Sequence, residues 1–149
     1  MELTKDTAFD TISDCVKGMD GVVVDKDNDT LAICKDGERL ISLSLPIDCY
    51  PYMLSEYTFP NGKTERIISV TYPVDGMEIE RFSKFLKRLI SVCDKAHRSI
   101  SDFILDKSRT DEEIAEFMRD VNKTARKEYM TNLDPSVVFF VGGQTCHSV

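Results

Sequence analysis

Cys93 and His97 stand four residues apart, the spacing that puts two side chains on one face of a helix. A thiol and an imidazole so placed offer a zinc ion two ligands, and Cys146-His147 near the end of the chain offers two more. The pattern matches no recognised finger. The competing reading is a buried thiol and a hydrogen-bonded histidine beside an apolar stripe. A second constellation, Asp25-x-Asp27-x-Asp29 with Asp36 eleven positions after Asp25, imitates a calcium loop. An EF-hand needs glycine at its sixth position and usually glutamate at its twelfth. Thr30 and Asp36 occupy those places here, and the flanks read as strands, so a solvated turn is expected. Only two histidines exist, His97 and His147, and neither sits in a motif with Ser or Cys that implies an activated nucleophile. Gly142-Gly143 opens no helix and has no Lys-Ser/Thr behind it, so it is no phosphate loop. No catalytic residue, cofactor or resident metal is expected.

The elements that must position these residues follow from hydrophobic periodicity. Ala8, Phe9, Ile12, Cys15, Val16 and Met19 make one helical stripe, with Thr4 as its N-cap and Gly18 and Gly21 at its stop. Val22–Val24 reads as a short strand and Asp25–Asp29 as a turn cluster. Thr30–Cys34 and Arg39–Leu45 then form a hairpin across Asp36-Gly37. Ile41, Leu43 and Leu45 alternate with serines, which gives one buried face. Pro46 and Pro51 bound an apolar, irregular segment containing Tyr50, Tyr52 and Met53. Glu56–Phe59 pairs with Lys63–Tyr72 across Pro60-Asn61-Gly62, where Asn-Gly favours a primed turn.

The strongest pattern comes next. Ile79, Phe82, Leu86, Leu89, Cys93, Ala96, Ile100 and Phe103 repeat with alternating gaps of three and four. Phe85, Ile90 and Ile104 widen the stripe. A helix over about Gly76–Leu105 is predicted, opened by an Asp75/Glu78 capping box. So long a helix overhangs a small sheet and needs a second partner. Thr110 and Glu113 start that partner with a T-x-x-E box. Its stripe is Ile114, Phe117, Met118, Val121 and Ala125, and the short link Asp106–Arg109 makes the pair an antiparallel hairpin. Asp134-Pro135 ends the helical part, Ser136–Val141 reads as a strand, and a polar tail follows. That strand is strongly β-forming and uncharged, so it must pair with something, and its own sheet is the favoured partner.

The expectation is a single α+β domain over 1–149. Its core, 4–105, is an antiparallel sheet of about five strands with an N-terminal helix and a long helix packed on it. A second helix, forming a helical hairpin, and a C-terminal strand occupy 106–149. Composition agrees with a globular chain: 42% hydrophobic and 30% charged over 149 residues. The longest aliphatic or aromatic run, Val137–Val141, is far short of the roughly 20 residues a membrane-spanning helix needs. The start of the chain has neither the basic head nor the apolar core of a secretion signal. Five cysteines without regular spacing then read as reduced thiols in the cytoplasm.

Charge narrows the partners. The formal net charge is −7. Residues 1–50 carry 11 acids and 5 bases, or −6, whereas 77–105 carry 4 acids and 6 bases, or +2. An acidic N-terminal third opposes nucleic acid and anionic membrane and favours a basic protein partner.

The order of helix, three strands, Pro-rich segment, two strands and long helix resembles the class I type III secretion chaperones and the wider family sharing their fold. The likeness is strongest over Arg66-Ile-Ile-Ser-Val-Thr-Tyr-Pro-Val-Asp-Gly-Met-Glu-Ile-Glu-Arg-Phe and covers about 4–105. A short, Pro-rich 46–53 and the additions after 106 depart from it. A second resemblance, in Leu43-Ser44-Leu45-Pro46-x-x-x-Tyr50-Pro51, is to RWD and ubiquitin-conjugating-like domains, although one extra intervening residue and missing downstream prolines depart from their pattern. Both imply a module that binds protein. The expected function is therefore a non-catalytic, cytosolic protein-binding module, chaperone- or adaptor-like and homodimeric. Partner or dimer contacts are expected at Phe82, Phe85, Leu86, Leu89 and Ile90 of the long helix, at Tyr50, Tyr52 and Met53, and at Val138 and Phe140 of the C-terminal strand. The alternatives are an acidic, phage-type antagonist of a basic site, and a small metal-binding protein or enzyme using Cys93 and His97.

Overall fold

The computed structural model describes residues 6–44, 52–71 and 78–131, with 138–141 and 144–147 described as backbone. Three helices and seven strands run in the order α1 (Ala8–Val16), β1 (Val22–Asp27), β2 (Thr30–Lys35), β3 (Glu38–Ser44), β4 (Tyr52–Thr58), β5 (Thr64–Thr71), α2 (Ile79–Asp106), α3 (Asp111–Met130), β6 (Val138–Val141), β7 (Gln144–His147). All strands join one antiparallel sheet whose spatial order is the order of the chain. The α+β architecture is the expected one. The C-terminal strand does pair with its own sheet, through Val70–Val141 and Thr71–Phe140. Beyond it lies a strand where a polar tail was expected, because Gln144–His147 folds back on β6.

Turn chemistry sets the hairpins. Asp36 and Gly37 both have positive φ, 51° and 83°, as a two-residue primed turn requires. The Asp36 amide also donates to Gly21 O at 3.1 Å. Gly21 has φ 73°, a left-handed conformation that favours glycine, and a Cβ there would press on the Asp36 carboxylate and make that side chain shift. Phe59–Gly62 differs from expectation. Gly62 donates to Phe59 O at 2.9 Å and takes φ 88°, while Asn61 keeps a negative φ. Pro60 fixes φ for the first central position of an ordinary turn, and the left-handed residue falls one place later. The β1–β2 turn is tighter than expected too. Asp25, Lys26 and Asp27 belong to β1, and only Asn28-Asp29 links Asp27 to its partner Thr30. The imitation calcium loop is thereby taken apart. Asp36 lies at the far end of β2, about 17 Å from that turn at 3.3 Å per residue.

β4 also begins earlier than its expected start at Glu56. Tyr52 to Thr58 alternate exposed and buried throughout, so Tyr52, Met53 and Leu54 are strand rather than irregular segment. Thr4, Tyr50, Asp75 and the prolines at 46, 51, 73 and 135 lie outside the described residues. Glu78 itself stands at the N-cap of α2, with no side-chain cap bond.

One cluster of buried side chains joins all three helices to the sheet. Leu31, Ile33, Ile41, Leu43, Met53, Ile68 and Val70 line the inner face in register. A bulge in each of two ladders adds an inward residue, Leu40 on β3 and Ile67 on β5, which is how two consecutive apolar residues are buried at each place. Against this face α2 buries Phe82, Phe85, Leu86, Leu89, Ile90, Cys93 and Ile100.

The second partner of α2 is α3, as its length demanded. The Thr110–Glu113 capping box is complete: Glu113 N donates to Thr110 Oγ1 at 3.1 Å, and Thr110 N donates to Glu113 Oε1 at 3.0 Å. The Arg109 guanidinium lies 3.9 Å over Phe103, which stacks on Phe117 at 3.9 Å. At the far end Arg88 Nε donates to Tyr129 O and Nη2 to Glu128 O, at 2.9 and 2.8 Å. These bonds satisfy carbonyls that a helix C-terminus leaves without partners.

Candidate functional site

The site grows from a second stripe on α2, beside the apolar one. Asp94, His97 and Ser101 follow each other at three and four residues, so they share a face, and all three reach the sheet. Lys35 Nζ donates to Asp94 Oδ2 at 2.8 Å. His97 Nδ1 and Glu38 Oε1 are 2.9 Å apart, and Tyr57 and Ser101 share a hydroxyl–hydroxyl bond of 2.9 Å. His97 Nε2 lies 3.4 Å from Ser55 Oγ. The Glu38 carboxylate accepts from Nδ1–H, and Nε2 and the Ser55 hydroxyl share the second bond. The Tyr57 ring lies 5.4 Å from the imidazole.

Cys93, one turn back along α2, also hydrogen-bonds to Ser55. Burial pushes its thiol up to about 12, the serine bond working the other way. A thiol so held is protonated at any physiological pH and makes a poor nucleophile or metal ligand. Cys93 and His97 do share a face, as their spacing predicts. Cys146 and His147 lie on β7, three strands along the sheet from the β4 strand that His97 touches. Among the described residues no cluster of three potential metal ligands occurs.

The residues expected at a contact surface are placed differently. Phe82, Phe85, Leu86, Leu89 and Ile90 are at most 6% exposed, and Met53 is 1% exposed. This is a correction: the wide stripe of α2 is covered by the sheet, α1 and α3, because three elements rather than one share it. Tyr52 remains at the surface, 48% exposed. Val138 and Phe140 belong to β6, where Phe140 pairs with Thr71, and Tyr50 lies outside the described residues.

What the periodicity did not reveal is an opening in the sheet. β3 and β4 are seven residues each, yet they pair only through Ser42–Leu54 and Leu43–Met53. Beyond those pairs lies a cleft of about 520 Å³, lined by Glu38, Arg39, Ser42, Glu56, Thr58 and His97 among others. Ser55 was the available clue. It occupies an inward position between Met53 and Tyr57, where an apolar residue belongs unless a polar partner waits.

Fold and site together define a helix-backed antiparallel meander with a polar cleft between two of its central strands. No protein-family model, curated protein or solved structure matches the chain. Among the described residues no helix is long and apolar enough to cross a membrane.

Proposed function

We propose that the chain is a cytosolic protein-binding module of adaptor or chaperone type, acting without catalysis on a basic protein partner, and that it self-associates as a homodimer. One observation carries this reading: the sheet face opposite the helices presents a polar, charged surface. Arg39, Glu56, Thr58, Thr64 and Arg66 are exposed there, on a sheet backed by a packed core; the basic charge of the partner rests on the chain's formal net charge of −7 and not on this face. Such a face offers many directional contacts and a fixed shape. The chemistry that competes with this reading has weak support, since both imidazole nitrogens of His97 already have partners and the Cys93 thiol is held protonated.

The test is co-purification of the whole chain at low and high salt, with cross-links mapped by mass spectrometry and mass measured by light scattering. The expected result is a stoichiometric protein partner of basic charge, released by salt and cross-linked to the exposed face. Lone recovery of the chain with stoichiometric bound metal would overturn the reading in favour of a metal protein.

A further inference from the structure

The chain has four asparagines, Asn28, Asn61, Asn122 and Asn132, and Asn61 alone is followed by glycine. An asparagine carboxamide is an electrophile within reach of the next residue's backbone nitrogen, and attack by that nitrogen closes a cyclic imide. The side chain of the next residue ordinarily obstructs the closure. Gly62 has none, and the space where a Cβ would stand is open.

The turn sets the reacting groups together. Asn61 and Gly62 are exposed at the tip of the β4–β5 hairpin. Asn61 Oδ1 accepts from the Lys63 amide at 2.9 Å, so the carboxamide is folded back over the Gly62 peptide instead of reaching into solvent. Holding two reacting groups side by side makes their meeting an intramolecular step. The Lys63 amide also donates to the oxygen on which negative charge develops as the nitrogen adds, and a donor already in place there favours the addition. One contact opposes the step. Gly62 N donates to Phe59 O at 2.9 Å, and the nitrogen attacks only once its proton is released. Exposed loop tips belong to the parts of a fold that open most easily, so this bond slows the reaction without preventing it.

We infer that Asn61-Gly62 is a site of self-modification at which Asn61 loses ammonia and becomes aspartate or isoaspartate. The inference is independent of the protein-binding reading. The Gly62 nitrogen gives its proton to solvent base and bonds to Asn61 Cγ. The carboxamide C–N bond breaks, and ammonia leaves with a proton returned from solvent. Water, the co-reactant, then opens the imide. Opening at Cγ gives aspartate. Opening at the main-chain carbonyl of residue 61 gives isoaspartate, in which the chain runs through the former side chain. Both products place a negative charge at the tip, and isoaspartate also lengthens the main chain by a methylene. Across that span Phe59 N donates to Lys63 O at 2.8 Å and closes the hairpin, with the Phe59 side chain buried against Tyr57. Isoaspartate therefore loosens a turn that is anchored in the core, whereas aspartate keeps an acceptor for the Lys63 amide and leaves the turn closed.

The test incubates the whole chain at body temperature in mildly alkaline buffer made with heavy-oxygen water, beside a capped peptide of the sequence Phe59–Thr64. Digestion and mass spectrometry follow each asparagine, and isoaspartyl methyltransferase labels the isoaspartate. The expected result is loss of the amide at residue 61 with uptake of solvent oxygen, ahead of Asn28, Asn122 and Asn132, and with methyl label at 61. Gly62→Ala should lose the conversion. Because alanine strains a left-handed position, a second measurement stands beside it. The isoaspartate fraction, separated by ion exchange, should melt below the parent, while Asn61→Asp melts with it. An intact amide at 61 after the free peptide has converted would overturn the inference, since the fold would then block the site. Conversion spread evenly over the four asparagines would overturn it too. Coincident melting of the isoaspartate fraction and the parent would overturn the loosening of the hairpin.

Discussion

His97 on α2 and Glu38 on β3 are 59 residues apart in the chain and 2.9 Å apart in space, imidazole Nδ1 to carboxylate oxygen. The pair joins a side chain that is 3% exposed to one that is 50% exposed. The imidazole is thereby oriented, with its other nitrogen on Ser55, and the helix is pinned to both sides of the opening in the sheet.

Removing the two partners should not cost the same. His97→Ala leaves buried Ser55 with Cys93 as its remaining side-chain partner and opens a void beneath the cleft, at a cost of about 2–4 kcal/mol. Glu38→Ala opens no void but leaves the buried His97 Nδ1–H without its acceptor on the solvent side, and should cost about 1–2 kcal/mol. Urea unfolding midpoints check this. Equal effects would mean that the imidazole is not an organising contact.

The Cys93 thiol links stability to alkaline pH. Its ionisation is raised by burial from 9.0 to about 12. The unfolded chain therefore loses this proton first as pH rises. Stability is unaffected by the group below 9.0 and declines as pH climbs from there towards 12, by up to about 4 kcal/mol. Cys93→Ala should flatten that part of the profile, once the cost of the substitution at neutral pH is subtracted. In the native state Cys93 should react with a thiol reagent only at the rate of unfolding.

Leu86 is fully buried where α2 crosses the sheet. Leu86→Ala should cost about 2–5 kcal/mol and lower the melting temperature by several degrees or more. A melting curve that coincides with the parent's would contradict the packing described.

Thr110 and Glu113 cap α3 reciprocally. Thr110→Ala should cost about 1 kcal/mol, read from chemical denaturation. The Thr110 amide beside Glu113 holds its carboxyl below the ordinary glutamate value, with the Thr110 hydroxyl and the Lys107 and Arg109 charges assisting. A lowered value means the contribution is present above the ordinary carboxylate range and is lost as pH falls below it. The difference between Glu113→Ala, which removes the carboxylate that the Thr110 amide holds, and the parent should therefore narrow in acid. A difference constant with pH would show that the carboxylate takes no part in the cap.

Local pattern determined much of this fold. The 3–4 spacing from Ile79 to Phe103 specified α2, T-x-x-E specified the start of α3, and Asp36-Gly37 specified its turn, because each depends on residues within one element. The shared face of Cys93 and His97 was legible as spacing, whereas the polar stripe Asp94, His97, Ser101 emerged only with its partners on the sheet. Tertiary structure decided what each stripe faces. Phe82 to Ile90 read equally well as core or contact surface, and burial by three elements at once, which no local pattern encodes, made them core. The partners of His97 were likewise undecided, since Glu38 and Ser55 reach it only when two strands and a helix have packed. The opening between β3 and β4 belongs to neither strand's sequence. β4 alternates like an ordinary paired strand and β3 does so apart from its bulge at Leu40, and the separation of their far halves exists only in the relative placement of the two.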